Sequence, residues 1–119
     1  MAKEELRKKV DLAFLSAFYG GLLTDKQRQV LSLHCEEDLS LGEIAEEVGI
    51  SRQAVHETIT RAASRLNEME ASLGMAARFR RMESGLEEAL TSLRDKDNGK
   101  AERILTELIN YESEESNGI

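Results

Sequence analysis

Proline and tryptophan are absent from this sequence, cysteine occurs once, and aromatic residues make up only 4% of it. Without proline, no residue forces a break in a helix, so helical segments end only where glycine or a polar turn stops them. The shortage of aromatic and β-branched residues argues against an all-β fold, whose strands draw on both. The single cysteine, Cys35, rules out an intrachain disulfide and fits a reducing compartment. No apolar run approaches the ~20 residues that span a bilayer, so no membrane insertion is expected.

What is present points to helices. Hydrophobic residues form 40% of the 119 and charged residues 33%. The apolar residues recur at helical spacing over most of the length, which argues against disorder. One core is expected at this size, built from Leu, Ile, Val, Ala and Met. The net charge of −7 argues against a non-specific polyanion binder, although not against a local basic patch.

Lys3, Arg7, Lys8 and Lys9 precede the apolar stretch Leu12 to Leu23 and loosely imitate a signal peptide. Glu4, Glu5 and Asp11 interrupt the basic run, while Leu6, Val10, Ala13 and Ala17 form a helical stripe. The stretch therefore reads as an amphipathic helix of a soluble, cytoplasmic protein.

That helix runs from about residue 3 to Tyr19 and ends at Gly20-Gly21. Thr24 followed by Gln27 forms a capping box opening a second helix, which ends before Asp38. Ser40 and Glu43 repeat the signal for a short helix with Leu41, Ile44, Ala45 and Val48 inward. Gly49 takes a sharp turn and Ser51 caps the next helix, which carries Val55, Ile59, Ala62, Ala63, Leu66 and Met69 and continues to Gly74. A fifth helix covers Met75 to Leu93, with Gly85 as a weak point costing ~1 kcal/mol against alanine. Asp95 to Gly99 forms a turn, and a last helix holds Ala101, Ile104, Leu105, Leu108 and Ile109. The expected organisation is one all-helical domain over 1–112, with an acidic tail over 113–119 that frays.

The most informative stretch is Ser40 to Val55: two helices joined by a tight turn, the helix-turn-helix. Ala45 is small where the helices approach, Gly49 makes the turn, and Leu41, Ile44, Val48, Val55 and Ile59 set their angle by packing. The whole unit spans about 40–66. If its second helix reads nucleic acid, the outward residues are Arg52, Gln53, His56, Glu57, Thr60 and Arg61, with Arg52 and Gln53 suited to base edges. Charge weighs against duplex reading. Residues 51–66 carry a net +2, but 36–47 carry six acids and no base, and a first helix of this kind crosses the phosphate backbone.

A second basic cluster, Arg78, Arg80 and Arg81 around Phe79, could hold an RNA backbone while the ring stacks on a base. The plainer reading makes Phe79 core and pairs the arginines with acids one turn away, such as Glu83 and Glu87. Catalysis has little support. His34 and Cys35 are sequence neighbours and His56 is the only other histidine, too few for a zinc site. No glycine-rich phosphate loop occurs and no nucleophile has an evident base. The chain reads as a non-enzyme without cofactor or metal.

Leu23-Thr-Asp-Lys-Gln-Arg-Gln-Val-Leu31 and the stretch from Glu36 to Val55, with Phe18-Tyr-Gly-Gly-Leu-Leu-Thr24 upstream, resemble the YlxM family of small bacterial proteins. The likeness covers roughly residues 10 to 75. More distantly, the same stretch is similar to region 4 of bacterial sigma factors, which reads promoter DNA. The resemblance implies a three-helix, helix-turn-helix core with an N-terminal helix and a helical C-terminal extension, associating as a homodimer. It also implies a regulatory or adaptor role in the signal recognition particle pathway, with that particle's RNA or its GTPases as partners. Arg52, Arg61, Arg65, Arg78, Arg80 and Arg81 are the expected RNA contacts. The alternative is a sequence-specific transcription regulator reading duplex DNA through Arg52, Gln53 and His56.

The dimer has a motive in the residues as well. Met69, Leu73, Met75, Phe79 and Met82 offer more apolar surface than a short helix pair covers. Met69, Leu73, Phe79 and Met82 are the expected interface, unless the last helix folds back through Ile104, Leu105 and Leu108 to cover the same surface.

Overall fold

The computed structural model describes residues 2–117, with side chains as far as Glu114. The fold is all-α: α1 (Ala2–Tyr19), a 3-10 turn (Gly20–Leu22), α2 (Asp25–Cys35), α3 (Leu41–Val48), α4 (Arg52–Leu73), α5 (Met75–Arg94) and α6 (Asn98–Asn117), with no strand among the described residues. The chain divides into two compact units, Met1–Ala76 and Ala77–Ile119.

In the first unit the helix starts are built by side chains that satisfy otherwise orphaned amides. Thr24 Oγ1 accepts from the Gln27 amide at 3.1 Å while Gln27 Oε1 accepts from the Thr24 amide at 3.0 Å. Ser40 and Glu43 make the same reciprocal pair at 3.1 and 2.9 Å. Ser51 Oγ accepts from the Ala54 amide at 3.0 Å and opens α4. Gly49 and Gly74 end α3 and α4 in the left-handed region, at φ 78° and 62°, a conformation in which a Cβ is strained.

Two apolar clusters fill this unit. Val30, Ile44, Ala45 and Val55 hold α2, α3 and α4 together, with Leu41 and Val48 half-buried beside them. Tyr19, Leu23, Leu31, Ala62 and Leu66 join α1, α2 and α4, with Leu12, Leu15, Phe18, Cys35 and Met69 around them. Ile59 packs against both clusters and so makes them one continuous interior. Burying side chains of this kind contributes about 1.5–3 kcal/mol each.

A polar link crosses this interior over a long sequence separation. The buried Tyr19 hydroxyl donates to Glu70 Oε1 at 2.6 Å and accepts from the Met75 amide at 3.0 Å. Glu70 Oε1 also accepts from the Ala76 amide at 3.0 Å. Tyr19 and Glu70 therefore cap the start of α5 and fasten the end of α1 to the Gly74 turn. Burial, with the Glu70 hydrogen bond adding to it, pushes the Tyr19 phenol above its ordinary pKa.

The second unit is a helical hairpin. Arg78 pairs with Glu112 at 3.1 Å, and the Arg81 guanidinium lies 4.0 Å above the Tyr111 ring, so the start of α5 lies beside the end of α6. Gly85 has its reason here: a Cβ at that position would sit 2.6 Å from Leu108 Cδ1. The glycine costs helix propensity and in exchange admits the leucine between the helices. Asp97 Oδ1 accepts from the Lys100 amide at 3.1 Å, so α6 starts at Asn98, inside the expected turn. The segment expected to fray is helical as far as Asn117, and Gly118 and Ile119 lie outside the described residues.

Candidate nucleic-acid interface

The helix-turn-helix consists of α3, the Gly49 turn and α4. The Gly49 and Ile50 amides both return to the Ala45 carbonyl, at 2.9 and 3.1 Å, which fixes the turn in its tight form. Val55, Ala62 and Leu66 bury one face of α4. That orientation leaves Arg52, Gln53, His56, Glu57, Thr60, Arg61, Ser64 and Arg65 exposed.

These residues fall into two groups rather than one. At about 100° per residue, Arg52, Gln53 and His56 share the first turns of α4 on one flank, and Arg61 and Arg65 lie further along on the other. Arg52 and Arg65 are ~20 Å apart along the axis at 1.5 Å per residue, with Glu57 between the two groups. Because the groups lie on opposite flanks, a partner that meets both must cover the outer face between them rather than touch one point.

The neighbouring surface is acidic. On α3, Glu43, Glu46 and Glu47 are all exposed. The Ser40 backbone amide, helped by its hydroxyl, holds the Glu43 carboxyl below its ordinary pKa. Asp38, in the left-handed region at φ 55°, accepts a hydrogen bond from Lys9 of α1, which together with the ammonium charge lowers its pKa. Beside this pair His34 is lowered, by burial first and by Lys9 second. Asp38 and Glu43 are thus held in their charged form, while burial favours the neutral form of His34.

Of the second basic cluster, only Arg80 and Arg81 are exposed; Arg78 is half-buried, and its Nε is buried with no hydrogen-bond partner. Arg78 and Arg81 engage Glu112 and Tyr111 of α6, not acids one turn away on α5. Phe79 is 46% exposed, so it is not a core residue. Among the residues expected at a dimer surface, Leu73 and Phe79 are exposed, whereas Met69 packs half-buried against the first-unit core and Met82 is half-buried.

A cleft of about 280 Å³ between α1, the 3-10 turn and α2 is lined by Ser16, Arg28, Ser32, Cys35 and Glu36 among others. Burial pushes the Cys35 thiol up, which keeps it in its less reactive protonated form. Among the described residues, no three His, Cys, Asp or Glu side chains gather as metal ligands, and no helix is long and apolar enough to cross a membrane.

Comparison with known proteins places this geometry in a family. Residues 6–108 match the profile of UPF0122, described as "Putative helix-turn-helix protein, YlxM / p13 like". The chain belongs to the UPF0122 family. A UPF0122 protein of Symbiobacterium thermophilum is 42% identical over 97 residues, covering 82% of this chain and 91% of that relative. One from Desulforamulus reducens is 41% identical over 87 residues, covering 73% and 74%. A third, from Halalkalibacterium halodurans, is 47% identical over 74 residues, covering 62% and 68%. The match to UPF0122 takes in the helix-turn-helix and most of the α5–α6 hairpin.

Proposed function

We propose that this UPF0122 protein is a non-catalytic regulator or adaptor of the bacterial signal recognition particle pathway. It acts in the cytoplasm as a homodimer, through contacts with the particle's RNA, its GTPases or both. The observation that carries this reading is the exposed outer surface of α4. Arg52, Arg61 and Arg65 lie spread along it, next to an α3 whose outward residues are glutamates. A duplex reader lays its first helix across phosphates, where three exposed carboxylates are repelled. A folded RNA can meet α4 along its length while keeping clear of α3.

A second reading has its own observation. Arg52, Gln53 and His56 are exposed together in the first turns of α4, where a recognition helix carries its base-reading side chains. On that reading the chain regulates transcription at specific DNA sites.

Replacing Arg52, Arg61 and Arg65 together by alanine is expected to weaken binding of signal-recognition-particle RNA. The slope of log affinity against log salt should fall by about one unit for each phosphate that is no longer neutralised. Unchanged affinity and slope would remove α4 from the RNA-binding surface.

A further inference from the structure

The outer face of α4 sorts its side chains by the hydrogen bonds they can make. At ~100° per residue, Glu57, Thr60, Ser64 and Glu68 form one row opposite the buried Val55, Ala62 and Leu66. Arg52 and His56 lie to one side of that row, Arg61 and Arg65 to the other, and all of these are exposed. Among the described residues, none of these exposed side chains has a hydrogen bond or ion pair within the chain, although Glu57 and Arg61 are one turn apart. Arg28 and Arg78, by contrast, are paired. The face is a ridge of carboxylates and hydroxyls between cationic flanks.

That arrangement limits what can lie on it. Phosphates suit the flanks but only accept hydrogen bonds, so they repel the carboxylates of the ridge and give them no donor. A polyanion covering both flanks therefore needs donors between its two phosphate rows. The A-form helix of RNA has them, because its wide, shallow minor groove displays 2′-hydroxyls. Single strands are held on aromatic platforms, and α4 has no Phe, Tyr or Trp. In duplex DNA the donors are base amino groups in the major groove. Seating α4 there brings the exposed Glu43, Glu46 and Glu47 of α3 toward phosphate.

We propose that α4 lies across the minor groove of an RNA duplex, where Glu57 accepts hydrogen bonds from 2′-hydroxyls and so selects RNA over DNA. Thr60 and Ser64 support that contact, and Arg52, Arg61 and Arg65 hold the phosphates on either side. The proposal deepens the RNA-binding part of the proposed function and rests on it. It adds the form of the RNA and a selectivity residue outside the three arginines.

Fluorescence anisotropy of the full chain tests this with an RNA duplex of about 20 base pairs, the DNA duplex of the same sequence, and one RNA strand alone. The RNA duplex is expected to bind at least ~10-fold more tightly than the other two. Glu57→Ala, at an exposed helical position, should keep its helical circular dichroism. It should weaken the RNA duplex and strengthen the DNA duplex, narrowing their ratio by ~10-fold, the scale of one hydrogen bond to a charged group. A 2′-O-methyl RNA duplex keeps the A-form without the donors, so Glu57→Ala should no longer weaken it. If the variant raises affinity for RNA and DNA duplexes by the same factor, Glu57 acts as a charge alone and the selectivity role is overturned. Equal binding of the single strand and the RNA duplex overturns the groove placement. If signal-recognition-particle RNA binds and the plain duplex does not, this proposal alone is overturned; if neither binds, the RNA reading beneath it goes too.

Discussion

The first unit encloses a set of large side chains completely, although Leu6, Val10, Leu22 and Leu73 stay exposed on it, whereas among the described residues of the second Leu108 is the one large side chain buried. In Met1–Ala76, Tyr19, Val30, Ile44, Val55 and Leu66 are fully enclosed, and three side-chain caps fix where the helices begin. In Ala77–Ile119 the enclosed residues are mostly alanine and serine, and leucines face out. The same helix-forming composition thus serves two ends. A well-packed unit can hold α4 rigid and present its arginines at a fixed spacing. A hairpin with a thin interior has less apolar burial of its own to stabilise it.

Truncation should expose this difference most strongly. Leu66→Ala opens a cavity in the closed interior and should cost about 2–5 kcal/mol by urea denaturation, while Leu90→Ala on the hairpin's open face should cost the monomer less than about 1 kcal/mol. Equal losses would erase the contrast between the two units. A smaller effect, about 1–3 kcal/mol, is expected for Tyr19→Phe, which leaves Glu70 and the Met75 amide without the hydroxyl. Hydrogen exchange at Met75 and Ala76 should accelerate in that variant; unaltered protection would mean that the link does not fasten the Gly74 turn.

The smallest effect concerns pH. Asp38 and Glu43 have folded pKa values below their ordinary ones, so their contribution is present above the unfolded pKa and is lost as pH falls through the folded value. His34 is also lowered, so its contribution is complete above its ordinary value of 6.5 and declines as pH drops below that. All three signs agree, and Tm should fall gradually between about pH 6.5 and 4. His34→Gln should flatten the upper part of that decline, and an unaltered profile would remove His34 as a cause.

Much of the fold was legible because its signals are local. Thr24 with Gln27, Ser40 with Glu43, Ser51, Gly49 and Gly74 each act within one turn of chain, and each does in the structure what its spacing implied. The links across long separations were not legible. Tyr19 with Glu70, Arg78 with Glu112 and Arg81 with Tyr111 join residues whose relation no periodicity records. Gly85 looked like a defect because its partner, Leu108, is on another helix.

The candidate surfaces were partly legible for the same reason. Outward positions on α4 follow from its buried stripe, so Arg52, Gln53, His56, Arg61 and Arg65 were readable as exposed. Their division into two groups required the helix to be turned about its axis. On the hairpin, Leu86, Leu90 and Leu93 carried a signal that is easily missed: they sit one residue after the inner stripe and widen the apolar arc of α5 beyond what one neighbouring helix covers.

The most direct test of an RNA-binding α4 is fluorescence anisotropy of the wild-type chain with labelled signal-recognition-particle RNA, titrated across salt with duplex DNA as competitor. Saturable binding that survives physiological salt and excess duplex is the predicted result. Binding that disappears by moderate salt, or that duplex DNA displaces equally well, would contradict it, leaving α4 without an RNA partner and moving the search to the GTPases.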